Sequence, residues 1–144
     1  MPTIETTITI ARNPEEVFAF AIDPSNTPAW SPAVESSTSD GPIGPGTTGT
    51  ETRRFMGRRM TLGWRITKFE PGRVYGFEYT SGPLPAQAVF TFEAVPEGTR
   101  VVCRTDIRPR GILKLLGPMI AREGKREDEG NLRRLKEAIE ATPA

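Results

Sequence analysis

The chain has 144 residues, the length of one ordinary domain, and its 36% hydrophobic and 26% charged residues exclude a disordered or collagen-like chain. It contains no histidine and one cysteine, Cys103, which excludes imidazole-based catalysis, histidine zinc sites, Cys-rich metal sites and an internal disulfide. A formal net charge of +1 gives no general pull toward nucleic acid, and the 28 Gly and Pro residues (14 of each) are too many for a helical bundle.

Residues Thr3 to Ile10 alternate, with Ile4, Ile8 and Ile10 on one parity and threonines on the other, which predicts a strand. Asn13 followed by Pro14, Glu15 and Glu16 predicts a helix start, and Val17, Phe18 and Ile22 give that helix an apolar stripe. Asp23-Pro24 ends it, and a second short helix or turn is expected from Ser25 to Trp30. From Val34 to about Asp106 the chain reads as strands and turns. The glycine-rich stretch Gly41 to Gly46 lacks the Lys-Ser/Thr of a phosphate-binding loop and is read as a connection.

Strands are expected at about Thr47–Met56, Arg58–Phe69, Arg73–Ser81, Ala86–Val95 and Thr99–Ile107, joined as antiparallel hairpins by Gly57, Pro71-Gly72, Gly82-Pro83 and Pro96-Glu97-Gly98. After Gly111 the pattern turns helical to about Ala141, a helix that would be roughly 46 Å long, started or kinked by Pro118. An antiparallel sheet needs its apolar face covered, and one long helix is available for six or seven strands. A curved sheet wrapped around that helix satisfies this and leaves room for a cavity.

This order resembles the helix-grip fold of the START and birch-pollen-allergen superfamily, SRPBCC. The stretches that carry the likeness are Ile10 to Phe18 (IARNPEEVF) with Asp23-Pro24 and Trp30, Ser39 to Thr47 (SDGPIGPGT), Trp64 to Pro71 (WRITKFEP) and Glu97 to Val101 (EGTRV). They span nearly the whole chain, 1–144 as one domain, and are most similar to the bacterial polyketide cyclase/dehydrase-like branch. The resemblance implies an α+β fold and a class of functions running from lipid carriage to cyclisation.

The candidate pocket residues follow from strand parity. Met60, Leu62, Trp64 and Ile66 share one face of the fourth strand, and Tyr75, Phe77 and Tyr79 share one face of the fifth. In the last hairpin, Ala94 opposite Thr99 sets Phe92 against Val101 and Phe90 against Cys103. All these sets are expected to face the long helix. Met60, Trp64, Tyr75, Phe77, Tyr79 and Phe90, with Leu116 and Met119 from the helix, are the expected ligand contacts, the aromatic polar tips needing partners when buried.

Arg53, Arg54, Arg58, Arg59, Arg65 and Lys68 place six positive charges in sixteen residues without one acid, which reads first as a solvated hairpin. Turn length decides whether one of them enters the pocket. A two-residue turn at Met56-Gly57 pairs Arg53 with Met60 and sends Glu51 and Arg53 inward; a three-residue turn sends Thr50, Thr52 and Arg54 inward instead. Among acid–base groups, only Glu51, Glu78, Tyr75, Tyr79 and the arginines are available. The charged run Arg122 to Asn131 reads first as a solvated helix face, with hydrogen bonding of a polar ligand by Arg122, Glu123, Arg126 or Glu127 as the alternative, and Cys103 reads as a small buried hydrophobe.

The expected function is binding of a small hydrophobic ligand, such as a lipid, polyketide or aromatic metabolite. The rival is a polyketide cyclase-like enzyme using inward Arg and Tyr, and a third reading is a module that regulates a protein partner. No cofactor or metal is implied, no nucleic-acid partner or membrane span is expected, and a cytoplasmic monomer or small homo-oligomer without a signal peptide is the default.

Overall fold

The computed structural model describes residues 3–55, 57–82 and 85–143. Seven strands form one antiparallel sheet: β1 (Thr3–Ile10), β2 (Val34–Ser39), β3 (Thr48–Phe55), β4 (Arg58–Glu70), β5 (Val74–Tyr79), β6 (Ala86–Val95) and β7 (Gly98–Ile107). Their order across the sheet is β1-β7-β6-β5-β4-β3-β2, a meander from β2 to β7 with β1 added beside the last strand. Bulges on β2 between Val34 and Ser36 and on β4 between Ile66 and Lys68 sharpen the twist, as an unpaired extra residue does, and help the sheet to curl.

Between β1 and β2 lie α1 (Pro14–Ile22), a 3-10 turn at Pro24–Asn26 and the single-turn α2 (Thr27–Trp30). The Asn13 carboxamide oxygen accepts the Glu16 N–H at 2.9 Å, and the Asp23 carboxylate accepts the Ser25 N–H at 3.0 Å, so each start satisfies a donor the helix leaves open. The helix α3 (Gly117–Glu140) packs against β1 and α2. Its C-terminal end is held by Lys136 Nζ donating to the Thr9 carbonyl at 2.9 Å and by Arg12 Nη2 donating to the Thr142 carbonyl at 2.8 Å.

The main core gathers Ile10, Val17, Phe18, Phe92 and Val101 beneath Leu132, Leu135 and Ile139 of α3. Phe18 packs edge-on against both Phe69 and Phe92, with ring centroids 5.6 and 5.2 Å away. The last hairpin has the anticipated register: Ala94 opposite Thr99, Phe92 opposite Val101, Phe90 opposite Cys103.

Of the two roles expected of Pro118, helix start or kink, the structure shows the start, and the expected helix length is corrected. The C-terminal helical segment is not continuous from Gly111: residues Gly111–Leu116 form a 3-10 turn and the α-helix begins at Gly117. Pro118 explains the boundary, because its ring would collide with the carbonyl four residues earlier and it has no N–H to donate, so it is tolerated only in the first turn. The α-helix is therefore about 36 Å long rather than 46 Å.

Candidate functional site

The two halves of α3 do different work. Its C-terminal half carries the large apolar side chains of the core, while its N-terminal half presents Ile120, Gly124, Glu127 and Asp128 to the cavity, with Asn131 one turn further on. These cannot fill the space above β3 to β7, and a cavity of about 750 Å³ remains. That is within the range that holds a drug-sized ligand. Its walls are mostly apolar: Leu62 and Trp64 from β4, Phe77 from β5, Phe90 from β6, with Trp30 and Val34.

Gly124 has a packing reason to stand in mid-helix. A Cβ there would come 2.8 Å from Ile4 Cδ1 and 3.1 Å from Ile107 Cδ1, so its absence lets α3 lie close against β1 and β7.

One polar cluster lies on this apolar wall. Phe55 pairs with Arg58 and Arg53 with Met60, so two residues separate the strands at the turn, of which Met56 lies outside the described residues. That register turns Glu51 and Arg53 to the inner face. The Tyr79 hydroxyl donates to Glu51 Oε2 at 2.7 Å, and Arg53 Nη1 donates to the same hydroxyl at 2.9 Å. Arg53 Nη2 donates to Glu127 Oε2 on α3 at 2.8 Å, and Nη1 lies 3.5 Å from Glu51 Oε2. The guanidinium carbon also sits 6.0 Å from the Tyr79 ring centroid, at the outer limit of a cation–π contact.

Burial governs the protonation of this cluster. It pushes Glu51 above its ordinary value, against the lowering effects of the Tyr79 hydrogen bond and the Arg53 charge. Burial also raises Tyr79 and Tyr75, and the Glu51 charge adds to both, so both phenols stay protonated. For Arg53, burial works against the charge, but Tyr79, Glu127 and Glu51 outweigh it and hold the guanidinium ionised.

A second polar station lies farther along the cavity. Thr105 Oγ1 donates to Asp128 Oδ2 at 2.8 Å, and burial lifts the Asp128 carboxyl to about 6 despite that bond. Cys103 Sγ is 3.6 Å from Thr105 Oγ1; burial, helped by the Asp128 charge, pushes the thiol up to about 12. Asn131 completes the polar side of α3. With its amide oriented to suit its neighbours, the oxygen accepts from Ser31 Oγ at 3.2 Å and the nitrogen donates to the Glu127 and Trp30 carbonyls.

The structure brings Met60, Trp64, Tyr75, Phe77, Tyr79, Phe90 and Met119 to the cavity, together with Glu51 and Arg53. Trp64 is buried and its indole N–H donates to Ser37 Oγ at 3.2 Å. Leu116 is different: it belongs to the 3-10 turn and packs on the small cluster of Ile4, Ile107 and Ile120, because the turn ends the helical stripe that would have aimed it inward. Arg54 has the opposite parity to Arg53, reaches no further than the cavity rim, and pairs with Glu35 at 3.3 Å with 61% of its side chain exposed. Glu78 also points away, paired with Arg65 on the outer face. Glu127 was expected at the cavity only as the lesser alternative to a solvated helix face, and Asp128 and Thr105 were not anticipated there. Counting back from Leu135 by helical steps of four, three and four reaches Asn131, Asp128 and Gly124, and that stripe was the available signal.

A family model described as polyketide cyclase / dehydrase and lipid transport matches residues 1–140. The chain belongs to that family. Three solved structures show how far the cyclase/dehydrase fold is shared. The protein TTHA0849 from Thermus thermophilus is similar at TM-score 0.86 and 20% identity, over 99% of this chain and 100% of that one. The Zhui aromatase/cyclase from a Streptomyces species is similar at TM-score 0.84 and 14% identity, over 96% and 93%. Ara h 8.0201 is similar at TM-score 0.76 and 18% identity, over 97% and 98%. At these identities the likeness is one of fold, and it confirms the curved seven-stranded sheet with its long C-terminal helix as a helix-grip arrangement. No curated protein matches the chain. No helix among the described residues is long and apolar enough to cross a membrane.

Proposed function

We propose that this protein binds a small, largely apolar and uncharged molecule that carries at least one oxygen, in the cavity between the sheet and α3. The observation that carries this reading is the Glu51–Tyr79–Arg53–Glu127 cluster on a mostly apolar wall. The apolar walls supply affinity through desolvation, and the cluster supplies orientation through hydrogen bonds. Arg53 already faces Glu51 and Glu127, so its charge is compensated from within the protein. A carboxylate or phosphate ligand would have to displace one of those acids, whereas a hydroxyl or carbonyl needs only a hydrogen bond. The lone buried thiol of Cys103 is in keeping with a reducing, cytoplasmic setting.

Catalysis of the cyclase type is the second reading, and one observation favours it: a buried carboxyl with a raised pKa touches a phenol and sits beside a guanidinium at one spot. Such a group suits proton removal next to a ketone, with a neighbouring donor to hold the enolate oxygen. In this reading Glu51 takes the proton and Arg53 or Tyr79 faces the developing charge.

The test begins with native mass spectrometry of the purified protein for a co-purified small molecule. Titration with 2-naphthol, an aromatic carrying one hydroxyl, then follows quenching of Trp30 and Trp64, which both border the cavity. Saturable quenching, weakened about tenfold by the cavity-filling Ala88→Phe, is expected. An empty protein that binds no such probe overturns the binding reading. Turnover of a linear diketone that is lost in Glu51→Gln, with naphthol binding kept, establishes the catalytic one.

A further inference from the structure

We propose that the 3-10 turn Gly111–Leu116 and the first turn of α3 dock the protein onto an anionic lipid surface, with the cavity mouth facing that surface. Among the described residues, the exposed large hydrophobic side chains fall together here: Ile112 at 78%, Leu115 at 80% and Met119 at 43%. In a 3-10 turn, residues three apart eclipse one another, so Ile112 and Leu115 project from the same side. Cations flank them along the chain. Between Arg108 and Arg126 the chain has six basic residues and a single acid, Glu123. Among the described residues, no carboxylate lies within ion-pair distance of Arg110, Lys114 or Arg122, and all three are exposed.

The shape and charge together select the occupant. Two apolar side chains exposed on one side of a short turn, with exposed cations beside them in the chain, suit insertion between lipid headgroups with the basic side chains reaching the phosphates. A second copy of the chain fits poorly, because a two-fold contact would set the same cations against each other. Nucleic acid would use the charges but leave the exposed leucine and isoleucine unexplained. Met119, Ile120 and Glu123 border the cavity itself, so the patch adjoins the cavity lining. A docked molecule could exchange an apolar ligand without carrying it through water. The surface contact does not depend on what the cavity holds, so its test is separate from the naphthol titration.

The test is flotation with vesicles of phosphatidylcholine alone and of phosphatidylcholine with about 30% phosphatidylglycerol, an anionic fraction that basic side chains sense at about fivefold in affinity each. Binding to the anionic vesicles that falls at least tenfold without phosphatidylglycerol is expected. Ile112→Asp with Leu115→Asp removes it, and Arg110→Gln with Lys114→Gln weakens it about 25-fold, two such charges compounding. All four positions are exposed, so the variants keep the wild-type melting temperature and naphthol affinity. Absent binding, binding indifferent to lipid charge, or binding unchanged in Ile112→Asp with Leu115→Asp overturns the proposal. Concentration-dependent self-association in sedimentation, lost in the same variants, also overturns it and assigns the patch to a protein interface.

Discussion

The Tyr79 hydroxyl lies between Glu51 and Arg53, donating to the carboxylate at 2.7 Å and accepting from the guanidinium at 2.9 Å. One side chain on β5 thereby joins two on β3, across the intervening β4. The phenol satisfies a buried acid and a buried base at once, which is what allows both to stay in an apolar wall.

Tyr79→Phe removes that bridge while keeping the ring. Glu51 then loses its shortest hydrogen bond, and its pKa, already raised by burial, rises further. Urea denaturation at pH 7 is expected to show a loss of about 1–2 kcal/mol, the cost of leaving buried polar partners unsatisfied. An oxygen-bearing probe binds more weakly to this variant, whereas a pure hydrocarbon such as naphthalene binds as before. Equal loss for both probes removes the cluster's orienting role.

Arg53→Met tests the charge rather than the hydroxyl. It strands Glu51, and partly Glu127, without a cation, and breaking such a pair from one side costs about 3–5 kcal/mol. Adding Glu51→Gln to Arg53→Met is expected to restore more than half of that, since the remaining group is neutral. A double variant no more stable than Arg53→Met shows that the alkyl packing of Arg53, not its charge, is what the wall needs.

Much of this arrangement was legible in the residues. The alternation of Met60, Leu62, Trp64 and Ile66 and of Tyr75, Phe77 and Tyr79 fixes which side chains share a face, because a strand repeats every two residues. What alternation leaves open is register, and the choice between Arg53 and Arg54 hung on a turn one residue longer or shorter. The helix was harder for a different reason. Its inward stripe toward the cavity is polar and small, running through Gly124, Asp128 and Asn131, so hydrophobic periodicity gives no sign of it until Leu132 and Leu135. Leu116 misled in the opposite sense: an apolar residue at helical spacing lies in a 3-10 turn that Pro118 separates from the helix.

Asp128 makes stability depend on pH in an unusual direction. Its carboxyl is lifted from the ordinary 3.8 to about 6, burial being the main cause, so the folded chain holds this proton more tightly than the unfolded chain does. Its contribution is fully present below about 4 and is lost as the pH rises through about 6. Asp128→Asn, which still offers Thr105 an acceptor, is therefore expected to be more stable than the parent at pH 7.5 by on the order of 1–3 kcal/mol. The gain shrinks toward zero near pH 4. Urea midpoints of the two proteins at pH 4.5, 6 and 7.5 measure it, and a constant difference across that range would refute the assignment.

Cys103 is buried at 2% exposure in the wall of β7, opposite Phe90, with its thiol pushed up to about 12. At pH 8 only about one molecule in ten thousand then carries the thiolate, which is the species that attacks alkylating and disulfide reagents. The folded protein is expected to resist iodoacetamide at pH 8, reacting at least a hundredfold more slowly than in 6–8 M urea, where the thiol regains its ordinary acidity. Because the same residue borders the cavity, a small reagent has a route to it, and slow labelling would reflect the missing thiolate as well as burial. Raising the pH from 8 to 9.5 separates the two causes. A thiol held protonated labels about 30-fold faster, in proportion to the thiolate formed, whereas a thiol that is merely shielded labels at a rate set by opening of the fold.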